Sequence, residues 1–371
     1  MQMALHKKLR RVRQLAAGIG LLVMLGVGYG GWKYLQFKHA TPMSAYQTSK
    51  QYTYFDVHSG LGARRLAKEL YEKHIVTSAF WFSVYLRFNG GFRSVRAADY
   101  RFSSDMTVHD VVRVLQSGIS YGISVTVPEG HNIHQIAGLL DAVRPTLKQE
   151  WLELQSNSMA LKGLAKQFGL PVLERGLEGY LFPDTYVIER KATAIDFARQ
   201  MLRRHVAVVQ SFLKNSADSG VWAGGLSNEK IIILASMVEK ETGASFERPI
   251  IASVFHNRLK KKMRLQSDPT VIYGIKNYSG NITKQDLLTP SPYNTYTLPG
   301  LPYGPIANPG LDAVRAVVYP EVTRYLYFVS RNDGTHQFTE NYQDHLQAVK
   351  SFQLDAAARA GKSWRDLRNS H

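Results

Sequence analysis

The stretch from Asn228 to Gly243 limits the possible folds more than any other part of this chain. From Ile231 to Val238 it is apolar on every side apart from Ser236. A helix that is apolar all round is stable only inside a core, so other elements must surround it. Asn228 is placed to cap its start, Glu229 suits the positive end of the helix dipole, and Gly243 is a good residue just past the end. Glu239 and Glu241 then stand at the C-terminal end of a buried helix. Being two residues apart, they point about 200° away from one another around the axis. One can face a cleft while the other faces solvent or a partner. The negative helix end and partial burial both disfavour an ionised carboxylate and raise its pKa. A general acid working near neutral pH needs that shift. The plain alternative is a pair of solvated acids fraying a helix end.

The N-terminus sets a second constraint. Lys7, Lys8, Arg10, Arg11 and Arg13 precede an uncharged apolar run from Leu15 to Trp32. At about 1.5 Å rise per residue the run is just long enough for a hydrocarbon core of roughly 30 Å. Cationic flanks stay on the cytoplasmic side, so the expected topology is a single pass with the N-terminus inside. A cleaved leader would have a shorter apolar core and a small-residue cleavage site, which Met43-Ser44-Ala45 matches poorly. No second run of this kind follows. The expected layout is a cytoplasmic tail over 1–14, a transmembrane helix over 15–35 and a linker over 36–50.

Charge and composition narrow the partners. The chain carries 46 Lys and Arg against 29 Asp and Glu. Seven of those cations and no acid lie in residues 1–40, which leaves the rest at 39 against 29. A basic balance often marks a nucleic-acid binder, but the expected topology and the lack of any such motif argue against nucleic acid. An anionic membrane surface or wall polymer fits better, with general solubility as the bland reading. There is no Cys, hence no disulfide framework and no thiolate metal site. No metal or other cofactor is expected. His131 and His134 are three residues apart, a spacing that surface or core histidines also show.

The pattern along the chain is α+β. Tyr52 to Val57 alternates like a strand, and a helical face of Leu66, Leu70 and Ile75 follows. Ser78 to Phe88 reads as an apolar helix closed by Asn89-Gly90-Gly91. Tyr100 to Phe102 is a short strand, and Thr107 caps a helix that Gly118 stops. These elements make an N-terminal platform over 51–120. A second strand–turn–helix unit runs from Ile123 through Pro128-Glu129-Gly130 to Leu140. It resembles a small LysM-type wall-polymer-binding module, placed over 121–170. From Gly176 onward Gly, Pro and Tyr become dense among apolar helices. Long irregular loops on a helical scaffold usually carry function, and 171–350 is the expected catalytic region, with a tail over 351–371. Its loops hold flat, half-polar Tyr rings that can lie against sugars and amides that can bond sugar hydroxyls.

Five motifs in order carry a family resemblance: Glu178-Gly179-Tyr180-Leu181-Phe182-Pro183-Asp184-Thr185-Tyr186, Glu239-Lys240-Glu241-Thr242, Leu265-Gln266-Ser267-Asp268-Pro269-Thr270, Tyr293-Asn294-Thr295-Tyr296 and Leu301-Pro302-Tyr303-Gly304-Pro305-Ile306. Together they resemble the endolytic murein transglycosylases, the MltG/YceG-like family, over nearly the whole chain. The resemblance implies a lysozyme-like catalytic domain cutting nascent peptidoglycan strands internally. It also implies residence in the cell inner membrane, a periplasmic catalytic domain and association with peptidoglycan synthases. In the wider lytic transglycosylase group the catalytic Glu precedes a Ser. Glu241-Thr242 matches that pair with Thr in the Ser position, which favours Glu241 over Glu239 as the catalytic residue. Gln266 resembles the group's Gly-Leu-Met-Gln glutamine in an altered context. Tyr293-Asn294 resembles its Tyr-Asn motif without the usual Ala-Gly after it. Gln266, Tyr293, Asn294, Glu178 and Thr242 are the expected substrate-binding residues.

The expected reaction is non-hydrolytic cleavage between N-acetylmuramic acid and N-acetylglucosamine, with Glu241 as acid and then base and a 1,6-anhydro product. One rival is an ordinary hydrolase, with Glu178, Asp184 or Asp268 as second carboxylate. Each of these has a structural alternative: Glu178 and Asp184 holding their Gly- and Pro-rich loop, Asp268 capping the turn at Pro269. The other rival is a non-enzymatic wall-binding scaffold.

Overall fold

The computed structural model describes residues 2–39, 52–58, 60–89, 95–118, 121–171, 173, 176–218, 225–276, 278 and 280–354, with side chains of the first helix from Ala17 onward. The chain forms two compact units, 1–123 and 124–371. It is helix-rich α+β, with three two-stranded sheets among the described residues.

The first unit opens with α1 (Gln2–His39), one continuous helix. It runs into the stretch expected as a linker, because Phe37 is buried in the unit's core. Residues 40–50, the rest of that stretch, lie outside the described residues, as do Gly90 and Gly91 and residues 355–371 of the tail. Large apolar side chains between Ile19 and Trp32 are exposed. Among the described residues no helix is long and apolar enough to cross a membrane. The first two side chains of the apolar run, Leu15 and Ala16, and the five cations before it lie outside the described side chains.

β1 (Tyr52–Val57) pairs antiparallel with β2 (Ala98–Ser103), Tyr52 opposite Ser103 and Val57 opposite Ala98. Between them lie α2 (Ala63–Glu72) and α3 (Ala79–Phe88), the latter capped by Ser78. Thr107 and Asp110 form a capping box on α4 (Val108–Ser117), which stops at left-handed Gly118. Leu66, Leu70, Phe82, Tyr100, Val111 and Leu115 fill the core between these elements.

The second unit begins within β3 (Ile123–Thr126), which leads to α5 (Ile133–Val143), capped by Asn132 with Gln135 completing the box. α6 (Pro145–Leu154) and α7 (Ser158–Phe168) follow. The partner of β3 is β4 (Thr185–Ile188), from beyond the segment read as LysM-like. One core holds Ile136, Leu140 and Trp151 together with Tyr186, Phe197 and Met201 of β4 and α8 (Ala194–His205), so 121–170 shares its interior with the residues that follow. After α9 (Ser211–Asp218) comes α10 (Asn228–Glu241).

α10 is buried from Ile231 to Glu239 and packs against α11 (Arg248–Lys260), α12 (Asp268–Gly274) and α14 (Leu311–Val318). A short helix, α13 (Lys284–Leu288), precedes α14. β5 (Tyr327–Ser330) and β6 (His336–Thr339) form an antiparallel hairpin, followed by α15 (Tyr342–Val349). The ends of α10 differ from expectation. Ser227, one residue before Asn228, is the cap, its hydroxyl accepting from Lys230 N–H. At the other end Thr242 turns extended and its Oγ1 accepts from Ala244 N–H at 2.9 Å, so no left-handed glycine closes the helix.

Candidate active site

Three polar side chains on α10 organise the site. Ser236, the one interruption in its apolar surface, accepts Ile306 N–H at 3.0 Å and donates to Ile233 O. It ties the loop before α14 to the middle of the helix. Glu239 accepts from Arg248 Nη2 at 2.7 Å and from Gly310 N–H at 3.0 Å. Burial raises its pKa while Arg248 opposes the rise. A carboxylate held by a buried guanidinium and a backbone amide is a structural tie. It also explains the glycine at 310, where a Cβ would overlap the carboxylate of Glu129, the second partner of Arg248 at 3.3 Å.

Glu241 lies on the other side of the helix in a cleft of about 440 Å³. Arg258, Gln266, Asp268 and Tyr296 line the cleft beside it, and the hairpin and α15 contribute Tyr327, His336, Tyr342 and His345. Burial pushes the Glu241 carboxyl up to about 7, and the nearby Asp268 adds to the rise. The Ser267 hydroxyl, donating to Oε1, and Arg258 pull the other way. No described residue donates to Oε2. One oxygen is thus fixed by the protein and the other remains for a proton, the arrangement a general acid requires.

The loop carrying Ser267 is clamped from behind. Ser267 N–H donates to Thr295 Oγ1 at 2.9 Å, and Thr270 bridges Ser267 O at 2.7 Å and Thr295 Oγ1 at 2.9 Å. Ser267 occupies the cap position of α12, yet its hydroxyl bonds Glu241 rather than the helix. Gln266 is held in the left-handed region at φ 49° by its own N–H donating to Thr295 O, and its exposed side chain lines the cleft. Arg258 is fixed by Leu326 O at 2.6 Å and Leu265 O at 2.8 Å, and its guanidinium lies 5.2 Å from the Tyr327 ring. Burial pulls its pKa down.

The other expected substrate residues stand elsewhere. Asn294 is buried, and its amide donates to Asp286, Leu287 and Thr289 carbonyls while accepting Tyr296 N–H at 2.9 Å. It therefore aims Tyr296, whose hydroxyl donates to Asp268 at 2.5 Å, and presents no free amide to a sugar. Tyr293 packs its ring between Tyr273 and Tyr303. Thr242 is buried under the loop that it turns. Glu178 accepts from Ile133 N–H, Tyr273 OH and Asn308 Nδ2 at 2.8–3.0 Å, and burial pushes it up to about 7. Asn308 also receives Gly179 and Leu181 N–H, so Glu178 and Asn308 join α5 to two loops away from the cleft. Asp184 pairs with Arg204 at 2.8 Å.

Arg258 and the hairpin and α15 residues of the cleft were not expected from the sequence. The signal for the hairpin was present: an aromatic-rich apolar run from Tyr325 to Val329, the turn-forming Asn332-Asp333-Gly334, then His336 to Thr339. Glu247 anchors it, accepting His336 N–H at 2.9 Å and contacting Nδ1 at 2.7 Å.

A sequence profile of the YceG-like family matches residues 55–351, which includes Glu241, its clamping loops and α15. The chain belongs to the YceG-like family. Among its relatives is a Bacillus subtilis protein named endolytic murein transglycosylase, 32% identical over 315 residues, covering 82% of this chain and 86% of the relative. A Streptococcus pneumoniae protein of the same name is 28% identical over 364 residues, covering 89% of this chain but 64% of its own length. A crystal structure of a YceG-like protein from Listeria monocytogenes superimposes with a TM-score of 0.56 at 29% identity, over 81% of this chain and 99% of that one. The family expected from the five motifs is thus the family found.

Proposed function

We propose that this chain is an endolytic lytic transglycosylase of peptidoglycan, with a lysozyme-like active site in its second unit and Glu241 as its single acid and base. The observation that carries the reading is the Glu241 carboxyl itself: partly buried in a sugar-sized cleft, raised to about 7, with Oε1 held by Ser267. Protonated Glu241 gives its proton to the glycosidic oxygen as the bond from C1 of N-acetylmuramic acid breaks, and the electron pair leaves with N-acetylglucosamine. The C6 hydroxyl of the muramyl unit then bonds C1 and returns its proton to Glu241. Atoms balance without water, and one carboxyl suffices. Relatives named endolytic murein transglycosylase support the substrate class. We place the catalytic unit outside the inner membrane, anchored by residues 15–32, where new strands emerge.

Asp268 favours a second reading, because it lines the same cleft. As a second carboxylate it would make a hydrolase, whereas Glu178 and Asp184 are engaged elsewhere. Mass spectrometry of products from uncrosslinked glycan decides: anhydro ends support the transglycosylase, and reducing ends support the hydrolase. Glu241→Gln abolishes either activity. Wild-type cleavage by that variant refutes the site, and inactivity of the wild type supports a wall-binding scaffold.

A further inference from the structure

The first unit presents an apolar surface beside the end of α1. On α3, Phe82, Tyr85 and Leu86 face inward and are at most 2% exposed. Phe80 and Phe88 are 67% and 77% exposed. Positions 80, 84 and 88 follow one another at intervals of four, so the two rings and half-buried Val84 share one face of the helix. The half-buried Trp81 ring meets Phe80 edge-on at 5.0 Å. This helix carries no acid and one cation, Arg87.

The position of α3 is tied to α1. The apolar run ends at Trp32, and Tyr34 lies two residues beyond, about 3 Å further along the axis. The Tyr34 ring is 5.9 Å from Trp81 and 6.3 Å from Tyr85, and Phe37 is buried in the same core. α1 therefore enters the unit as a fixed continuous helix, and α3 sits at the level where the apolar run stops. Lys33 and Lys38 flank that level, as cations do at a headgroup layer, and Tyr29 and Trp32 are exposed aromatics of the kind found there.

We propose that α3 is an interfacial helix, laying Phe80, Val84 and Phe88 into the headgroup layer of the bilayer that α1 crosses, with Arg87 meeting anionic lipid. An apolar helix face with cationic neighbours is what binds at that depth. The inference rests on residues 15–32 spanning the membrane. Its consequence is orientation: two contacts fix the first unit against the lipid where a single helix leaves it free to swing.

The chain has no cysteine, so single substitutions give single labelling sites. Full-length Phe80→Cys, Phe88→Cys, Leu22→Cys and Met159→Cys are labelled with an environment-sensitive fluorophore in nanodiscs of phosphatidylethanolamine and phosphatidylglycerol. Leu22 reports the span, and Met159, 84% exposed in the second unit, reports water. Labels at 80 and 88 are expected to show several-fold less iodide quenching than at 159, together with quenching by lipids bearing a shallow nitroxide. If 22 is shielded while 80 and 88 are quenched by iodide as strongly as 159, the interfacial helix is wrong and the span stands. Iodide access at 22 refutes both. Shielding at 80 and 88 without lipid quenching means a protein covers them, which also overturns the proposal.

Discussion

Ser267→Ala removes one hydrogen bond from Glu241 with little change of shape. Ser267 is buried, and alanine introduces no atom into its place. Its hydroxyl favours the ionised form of Glu241, against the burial that raises the group to about 7. A hydrogen bond to a charged acceptor contributes about 1.5–3 kcal/mol, and one to a neutral acceptor about 0.5–1.5 kcal/mol. The difference, about 1–1.5 kcal/mol, corresponds to about one pKa unit. Losing the donor therefore moves Glu241 further up. The free enzyme must be protonated at its general acid, so the alkaline limb of kcat/KM reports this group. In Ser267→Ala that limb is expected to shift upward by about one pH unit, while the plateau falls because Oε1 is no longer oriented. The assay follows the initial rate of anhydro-ended product from uncrosslinked glycan at a series of pH values. A limb that stays in place or moves to lower pH refutes either Glu241 as the acid or Ser267 as its donor.

Glu239→Gln removes the charge that pairs with Arg248 at 2.7 Å and sets an amide NH₂ against one of two donors, Arg248 or Gly310 N–H. It is expected to cost about 3 kcal/mol in urea unfolding, while the folded fraction still cleaves glycan; lost cleavage at full stability would reverse the assignment of the two glutamates. Glu178→Gln sets an amide NH₂ among three donors and lowers stability with KM unchanged. Glu178 is raised from 4.5 to about 7, so wild-type stability from this group declines as pH climbs between those values, by about 3 kcal/mol, and the deficit of the glutamine variant shrinks over the same range. His205 runs the opposite way: burial holds it down at about 3, so its contribution is lost as pH falls from 6.5, and His205→Leu should gain about 4–5 kcal/mol relative to wild type by pH 3, read as unfolding midpoints.

Legibility in the sequence followed the range of the interactions. The burial of α10, the Thr107 cap of α4 and the placing of Glu241 at a buried helix end depend on neighbours within a few residues, and periodicity and cap-residue type report them. The resemblance at Glu241-Thr242 favours Glu241 over Glu239, but the groups that make their surroundings differ, Ser267 and Gly310, lie 26 and 71 residues away and leave no local pattern. Asn294 shows a different difficulty. An amide beside tyrosines suits sugar binding and turn-holding equally, and only the carbonyls of Asp286, Leu287 and Thr289 reveal which it does. The β5–β6 hairpin was legible as a hairpin, but its position over the cleft depends on Glu247, 89 residues before His336.

The three polar positions on α10 show how the proposed acid, Glu241, is held on this helix. Ser236 and Glu239, three apart, share a face and hold Ile306 and Gly310 at the two ends of one loop segment. That loop also carries Asn308, which reaches back to Glu178 and so to the start of α5. Glu241 points the other way, to a loop that Thr270 and Thr295 fix from behind. A displacement of α10 would break ties on both faces together, so the helix is held against rotation, and with it the carboxyl. A carboxyl that must donate and then recover the same proton needs that immobility more than one that transfers it once, because both partners must be met from a single position. The polar interruptions in an otherwise apolar helix thus support the one-carboxylate chemistry proposed for Glu241.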